Sequence, residues 1–148
     1  MKAFRFPLQR VLEWRALQMR AQEEKLATLQ VKLGEVLHRE NALVMTELNA
    51  EMNVLRQPAV KGSEFRALAS FQVRLRSERL TLQKSRRLLE GQIDEQRKLL
   101  IKARKECKTV ENLKEKRMQQ WSYLHDRELE NTAAESYISS WVRSNSGQ

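Results

Sequence analysis

The sequence predicts an all-α fold: a long antiparallel two-helix coiled coil, or helical hairpin, in which helix 2 extends beyond helix 1. Two observations predict it. From Leu68 every seventh residue reads Leu68, Leu75, Leu82, Leu89, Gln96, Ala103, Val110, Arg117, Leu124, Asn131, Ile138. A second series, three residues earlier, reads Phe65, Gln72, Arg79, Arg86, Ile93, Leu100, Cys107. Together they give the 3-4 spacing of a coiled-coil seam, and a strict seven-residue period favours a left-handed supercoil. The other observation is a break at Arg56-Gln57-Pro58-Ala59-Val60-Lys61-Gly62, with a matching seam on its N-terminal side.

Helix 1 is expected from about Pro7 to Arg56. Leu12, Met19, Leu26 and Leu33 keep the seven-residue period there, and Leu8, Leu29, Val36 and Leu43 supply its other half. Pro58 removes a helix donor and restrains the residue before it; Gly62 permits a turn. The turn is expected at 57–62, with Ser63 as the N-cap of helix 2 and Glu64 favourable beside the positive helix end. A loop this short makes the helices antiparallel neighbours. Helix 2 then runs from about Glu64 to Val142, followed by a flexible tail.

Folding the chain in the loop sets the register. Opposed residue numbers should sum to about 118 or 119 for an antiparallel seam. That places Leu12 near Cys107, Leu26 near Ile93, Leu43 near Leu75, and the polar residues Gln22 near Gln96 and Glu40 near Arg79. A sum near about 122 aligns the 3-4 spacings better but mates fewer polar positions. At 1.5 Å per residue the helices are roughly 75 Å and 115 Å long, so helix 2 overshoots by about 30 residues. The overhang carries Trp121, Tyr123, Leu124, Leu129, Tyr137, Ile138 and Trp141, and a helix so apolar on one side wants a further surface.

Other apolar residues lie off the seam: Val44, Met45, Leu48, Met52, Leu55, Phe71 and Val73 near the loop, Trp14 and Leu17 near the chain start. A stutter in helix 1 would make Val44, Leu48 and Leu55 shifted core. The remainder suggest partner surfaces at both ends of the hairpin.

Composition bounds function. About a third of the 148 residues are charged, and the formal net charge is +9. Basic residues concentrate between 72 and 117, interspersed with acids at helical spacing. Such a face is solvated, or meets an acidic protein or an anionic surface. Neither a zinc-finger pattern nor an aromatic stacking set accompanies it, so nucleic acid is not an expected partner. No apolar run of membrane-spanning length and no signal-peptide pattern is present, so no transmembrane segment is expected. The single cysteine, Cys107, falls on the seam and fits a reducing cytoplasm. No catalytic, cofactor or metal motif is found: the four glycines are scattered, and His38 and His125 lack further ligands at metal spacing and read as surface residues. A non-enzyme is expected.

Two segments carry a family resemblance: Phe4-Arg5-Phe6-Pro7-Leu8-Gln9-Arg10-Val11-Leu12-Glu13-Trp14-Arg15, and the basic stretch Ala103-Arg104-Lys105-Glu106-Cys107-Lys108-Thr109-Val110-Glu111-Asn112-Leu113-Lys114-Glu115-Lys116-Arg117. In order, spacing and charge the chain resembles the flagellar export protein FliJ family. Ala134-Glu135 stands where that family often carries an Asp-Glu pair. The resemblance implies a soluble, non-catalytic stalk component of the flagellar type III export apparatus. Such a protein works in the bacterial cytoplasm, peripherally at the membrane of the flagellar base. Its partners would be the hexameric export ATPase, the membrane export gate and export chaperones. Carried onto this chain, Phe4, Phe6, Leu8, Val11, Leu12 and Arg15 would form the ATPase-facing end with Arg104, Lys105, Lys108, Glu111, Leu113 and Arg117, extended by Trp121 and Leu124. Met45, Leu48, Met52, Phe71 and Val73 would form an export-gate surface. The alternatives are an injectisome stalk protein and a generic self-associating structural coiled coil.

Overall fold

The computed structural model describes residues 3–145. It is an all-helical hairpin of two packed helices: α1, Gln9–Leu55, and the longer α2, Gly62–Asn145. No strand occurs among the described residues. Contacts group the chain into two compact units, one of Met1–Met19 with Lys102–Gln148, the other Arg20–Ile101.

The helix ends follow from local chemistry. Before α1, the Gln9 N–H donates to the Phe6 carbonyl at 3.2 Å, closing a tight turn around Pro7, which has no N–H to lose. At its end the Arg56 N–H reaches Met52 O at 3.0 Å and the Gln57 N–H reaches Val54 O at 3.3 Å, a tightened last turn that halts before Pro58. α2 starts earlier than Ser63 would place it. The Phe65 N–H donates to Lys61 O at 3.3 Å, which makes Lys61 the N-cap. Glu64 Oε2 then accepts from the Lys61 N–H at 3.0 Å, the returning half of a capping box. Glu64 in the first turn and Arg143 in the last both complement the helix dipole.

In the unit of residues 20–101 the seam is half-buried at Leu26, Leu29, Leu33, Val36, Leu68, Leu82 and Leu89, and buried at Leu43, Leu75, Ile93, Gln96 and Leu100. Gln96 Nε2 donates to Gln22 Oε1 at 2.6 Å and to Gln22 O at 3.1 Å. This polar layer lies where the heptads place it. The expected Glu40–Arg79 pair does not form. Arg79 instead meets Glu47 at 3.4 Å, and Glu40 meets Arg86 at 3.5 Å, each one heptad further on. Gln72 Nε2 donates to Glu51 Oε1 at 2.5 Å, and Arg39 pairs with Glu78 at 2.7 Å. A flexible guanidinium reaches along the seam as well as across it, so integer mating of heptads misassigns ion pairs. The stutter is also absent. The α1 heptad continues without a break through Glu40, Glu47 and Val54, all half-buried; of the three residues a stutter would bury, Val44 is half-buried, but Leu48 is 47% and Leu55 70% exposed.

In the other unit Cys107 is buried at its seam position, Leu12, Ala16, Ala103 and Val110 are half-buried, and Arg15 pairs with Glu106. Both units are antiparallel: in one, Phe4 meets Trp121 and Arg15 meets Glu106; in the other, Gln22 meets Gln96 and Arg39 meets Glu78.

Candidate functional site

Within the unit that holds the chain start, Phe4–Pro7 precede α1 as a non-helical strap whose Phe4 lies against α2. Phe6 is 9% exposed and anchors the strap from inside. It therefore supports this end instead of presenting a contact surface. Phe4 packs on Trp121, ring centroids 6.1 Å apart and tilted by 53°. Trp121 in turn stacks on His125 at 5.0 Å and 13°. Between strap and helix lies an open groove of about 880 Å³, lined by Arg5, Pro7, Arg117, Gln120, Trp121 and Leu124 beside Phe4. None of its lining residues is acidic. Two guanidinium groups over an apolar floor suit a ligand that carries a carboxylate next to an apolar side chain.

The structure brings Phe4, Arg117, Trp121 and Leu124 together at this groove. Leu8 and Val11 are exposed, at 39% and 40%, and Leu113 at 38%. Leu12 is half-buried in the seam, and Arg15 is held by Glu106. Arg104, Lys105 and Lys108 are exposed, with Lys108 3.5 Å from Glu111. Glu111 also stands 3.8 Å from the Cys107 sulfur. Burial pushes the Cys107 thiol up from its ordinary value, and the Glu111 carboxylate adds to the shift.

His125, expected at the surface, is half-buried, and its Nδ1 has no hydrogen-bond partner among the described residues. The signal was the four-residue spacing from Trp121, which puts both rings on one helix face.

The loop-proximal residues divide. Met45, Leu48 and Met52 are exposed along one face of α1. Phe71 is half-buried under the Arg74 guanidinium at 5.4 Å, whereas Val73 is 66% exposed. Residues two apart on a helix do not share a face. Phe71 and Val73 therefore do not form one surface.

A second groove, about 1090 Å³, is floored by Leu29, Leu88, Gly91 and Leu99 in the unit of residues 20–101. No group of metal-ligating side chains occurs among the described residues, and none of their helices is long and apolar enough to cross a membrane. Comparison with protein-family models, with curated proteins and with solved structures finds no match for this chain.

Proposed function

We propose that this chain is a non-catalytic stalk component of a bacterial flagellar type III export apparatus. It binds the hexameric export ATPase through the surface that joins the chain start to α2. The observation that carries the reading is the composite end itself. Phe4 and Arg5 from the strap and Arg117, Trp121 and Leu124 from α2 form one cationic, apolar groove. These positions belong to, or adjoin, the two segments on which the resemblance to the FliJ family rests. The longer α2 and the formal charge of +9 support the same reading. On it, the α1 face of Met45, Leu48 and Met52 contacts the export gate, the protein also meets export chaperones, and it works on the cytoplasmic side of the membrane at the flagellar base.

The test is a pull-down with the cognate export ATPase and an assay of ATP hydrolysis with and without this chain. A chain ending at Arg117 keeps the seam of α1 but loses Trp121, Leu124, Ile138 and Trp141. It should stay helical, bind the ring more weakly and fail to stimulate hydrolysis. Full binding by the shortened form would remove this part of α2 from the interface. An injectisome stalk is the second reading, favoured by the same groove, and an injectisome ATPase in place of the flagellar one distinguishes the two.

A further inference from the structure

The groove between α1 and α2 in the unit of residues 20–101 has two matching walls. On α2, Leu88, Gly91, Glu95 and Leu99 recur at intervals of three and four, a helix face beside the seam of Leu89, Ile93, Gln96 and Leu100. On α1, Ala21, Lys25 and Thr28 do the same beside Gln22, Leu26 and Leu29. Leu88 is 66% and Leu99 52% exposed, so two leucines meet solvent along a groove of about 1090 Å³. The stretch of α2 that lines it rises about 18 Å, the length of roughly three helical turns.

Shape says what kind of body fits. The groove is open along its length, and a small molecule needs most of its surface enclosed. An amphipathic helix needs one face covered, and lays an apolar ridge of 3-4 spacing into such a groove. The residues at Ala21, Thr28 and Gly91 are small and let a backbone come close. Gly91 weakens α2 as a helix, and a Cβ built on it meets nothing within 4 Å. No contact inside the chain therefore requires its smallness; a helix laid in the groove would.

Charge says which helix. Lys25 on the α1 wall and Arg87 on the α2 wall have no ion-pair partner among the described residues, whereas Glu95 is held by Lys98 at 2.8 Å. Glu24 is unpaired too, and asks for one basic residue in return. The formal net charge of +9 opposes a second copy of this chain in the same place.

We propose that the groove of residues 21–29 and 87–99 docks an amphipathic helix of a partner protein, one whose apolar ridge is flanked by acidic residues. The proposal goes beyond the export reading and does not depend on it, since every residue it uses lies outside the unit that holds the strap.

The probe is a fluorescent peptide of about 20 residues, long enough to populate helix. It carries a leucine ridge at 3-4 spacing, glutamates along both flanks and lysine only at its ends. Its like-charged flanks keep it from pairing with itself. Fluorescence anisotropy with the full native chain should show saturable binding that weakens with added salt. Leu88→Glu and Leu99→Glu should each weaken it roughly tenfold or more. Both positions are exposed, so circular dichroism should show the variants as helical as the native chain. Gly91→Gln should stabilise the free chain in denaturant titration, because glutamine is the better helix former, yet weaken peptide binding by lying across the floor. Lys25→Glu combined with Arg87→Glu should weaken the glutamate-flanked peptide and strengthen its charge-inverted, lysine-flanked counterpart. Absence of saturable binding overturns the proposal, as does binding indifferent to the groove variants or equal for the two peptides. Binding lost in Phe4→Ala but kept in Leu88→Glu would place the peptide at the strap. A native dimer in sedimentation equilibrium that Leu88→Glu dissolves would give the groove to a second copy. Either result overturns it equally.

Discussion

Single side chains decide several properties of this molecule. Cys107 sits at a seam position the heptads require to be apolar, and it is 2% exposed. Its thiol is raised in the folded chain, mainly by burial. The unfolded chain therefore releases the thiol proton at lower pH than the folded one. This contribution to stability is intact below the ordinary thiol value and is lost as pH rises through the folded value. Melting temperature should fall more steeply with alkaline pH for the native protein than for Cys107→Ala, and alkylation of the native thiol should be slow at neutral pH. Equal alkaline slopes would show that the thiol carries no linkage. Gly91 gives a second test. It lies in the middle of α2, and a Cβ built on it meets nothing within 4 Å. Gly91→Ala should stabilise the fold by about 0.5–1 kcal/mol, because only backbone entropy changes. A loss of stability in denaturant titration would mean that the open groove is occupied by something an added methyl disturbs.

At the scale of elements, the seam of residues 20–101 mixes apolar layers with charged ones. Glu40 and Glu47 stand at heptad positions that elsewhere carry leucine, with side chains only 16% and 15% exposed. Arg86 and Arg79 answer them from α2. Arg86 is raised above its ordinary value, first by its bond to Glu90 and less by Glu40, so it stays charged at any working pH. Double-mutant cycles should find coupling of about 1 kcal/mol or less for Glu47 with Arg79 and for Glu40 with Arg86, and none for Glu40 with Arg79. Coupling between Glu40 and Arg79 would restore the register that mates them. The Gln22–Gln96 layer acts differently, because Gln96 is buried. Gln96→Leu strands the Gln22 amide and should destabilise by about 1–3 kcal/mol in thermal or denaturant unfolding. Replacing both by Leu should recover that loss. Failure of the double variant to recover would show that the amide pair is not an isolated layer.

For the molecule as a whole, charge and exposed apolar surface govern what it meets. The basic stretch of α2 keeps Arg104, Lys105 and Lys108 in solvent. If it faces an acidic ATPase ring, reversing these three charges should weaken the complex and reduce its salt dependence. Binding that is equal for native and reversed chains at low and high salt would make the stretch a solvated face and nothing more.

The sequence by itself determined the fold class, the turn and the seam. Helical periodicity is a one-dimensional property, and Pro58 with Gly62 breaks it at one place. Of the buried apolar residues, Leu75, Ile93, Leu100 and Cys107 fall on the two α2 series and Leu43 on that of α1, while Phe6, in the strap, lies off them. Tertiary structure alone decided the rest. It made Lys61 the cap in place of Ser63, and it moved the arginines one heptad along the seam, because a long side chain chooses among several carboxylates within reach. It also folded Phe4–Pro7 against Trp121 and stacked His125 beneath, joining residues more than a hundred positions apart. No helical period carries information about a non-helical strap. Its place is set by which apolar face of α2 remains uncovered where α1 begins.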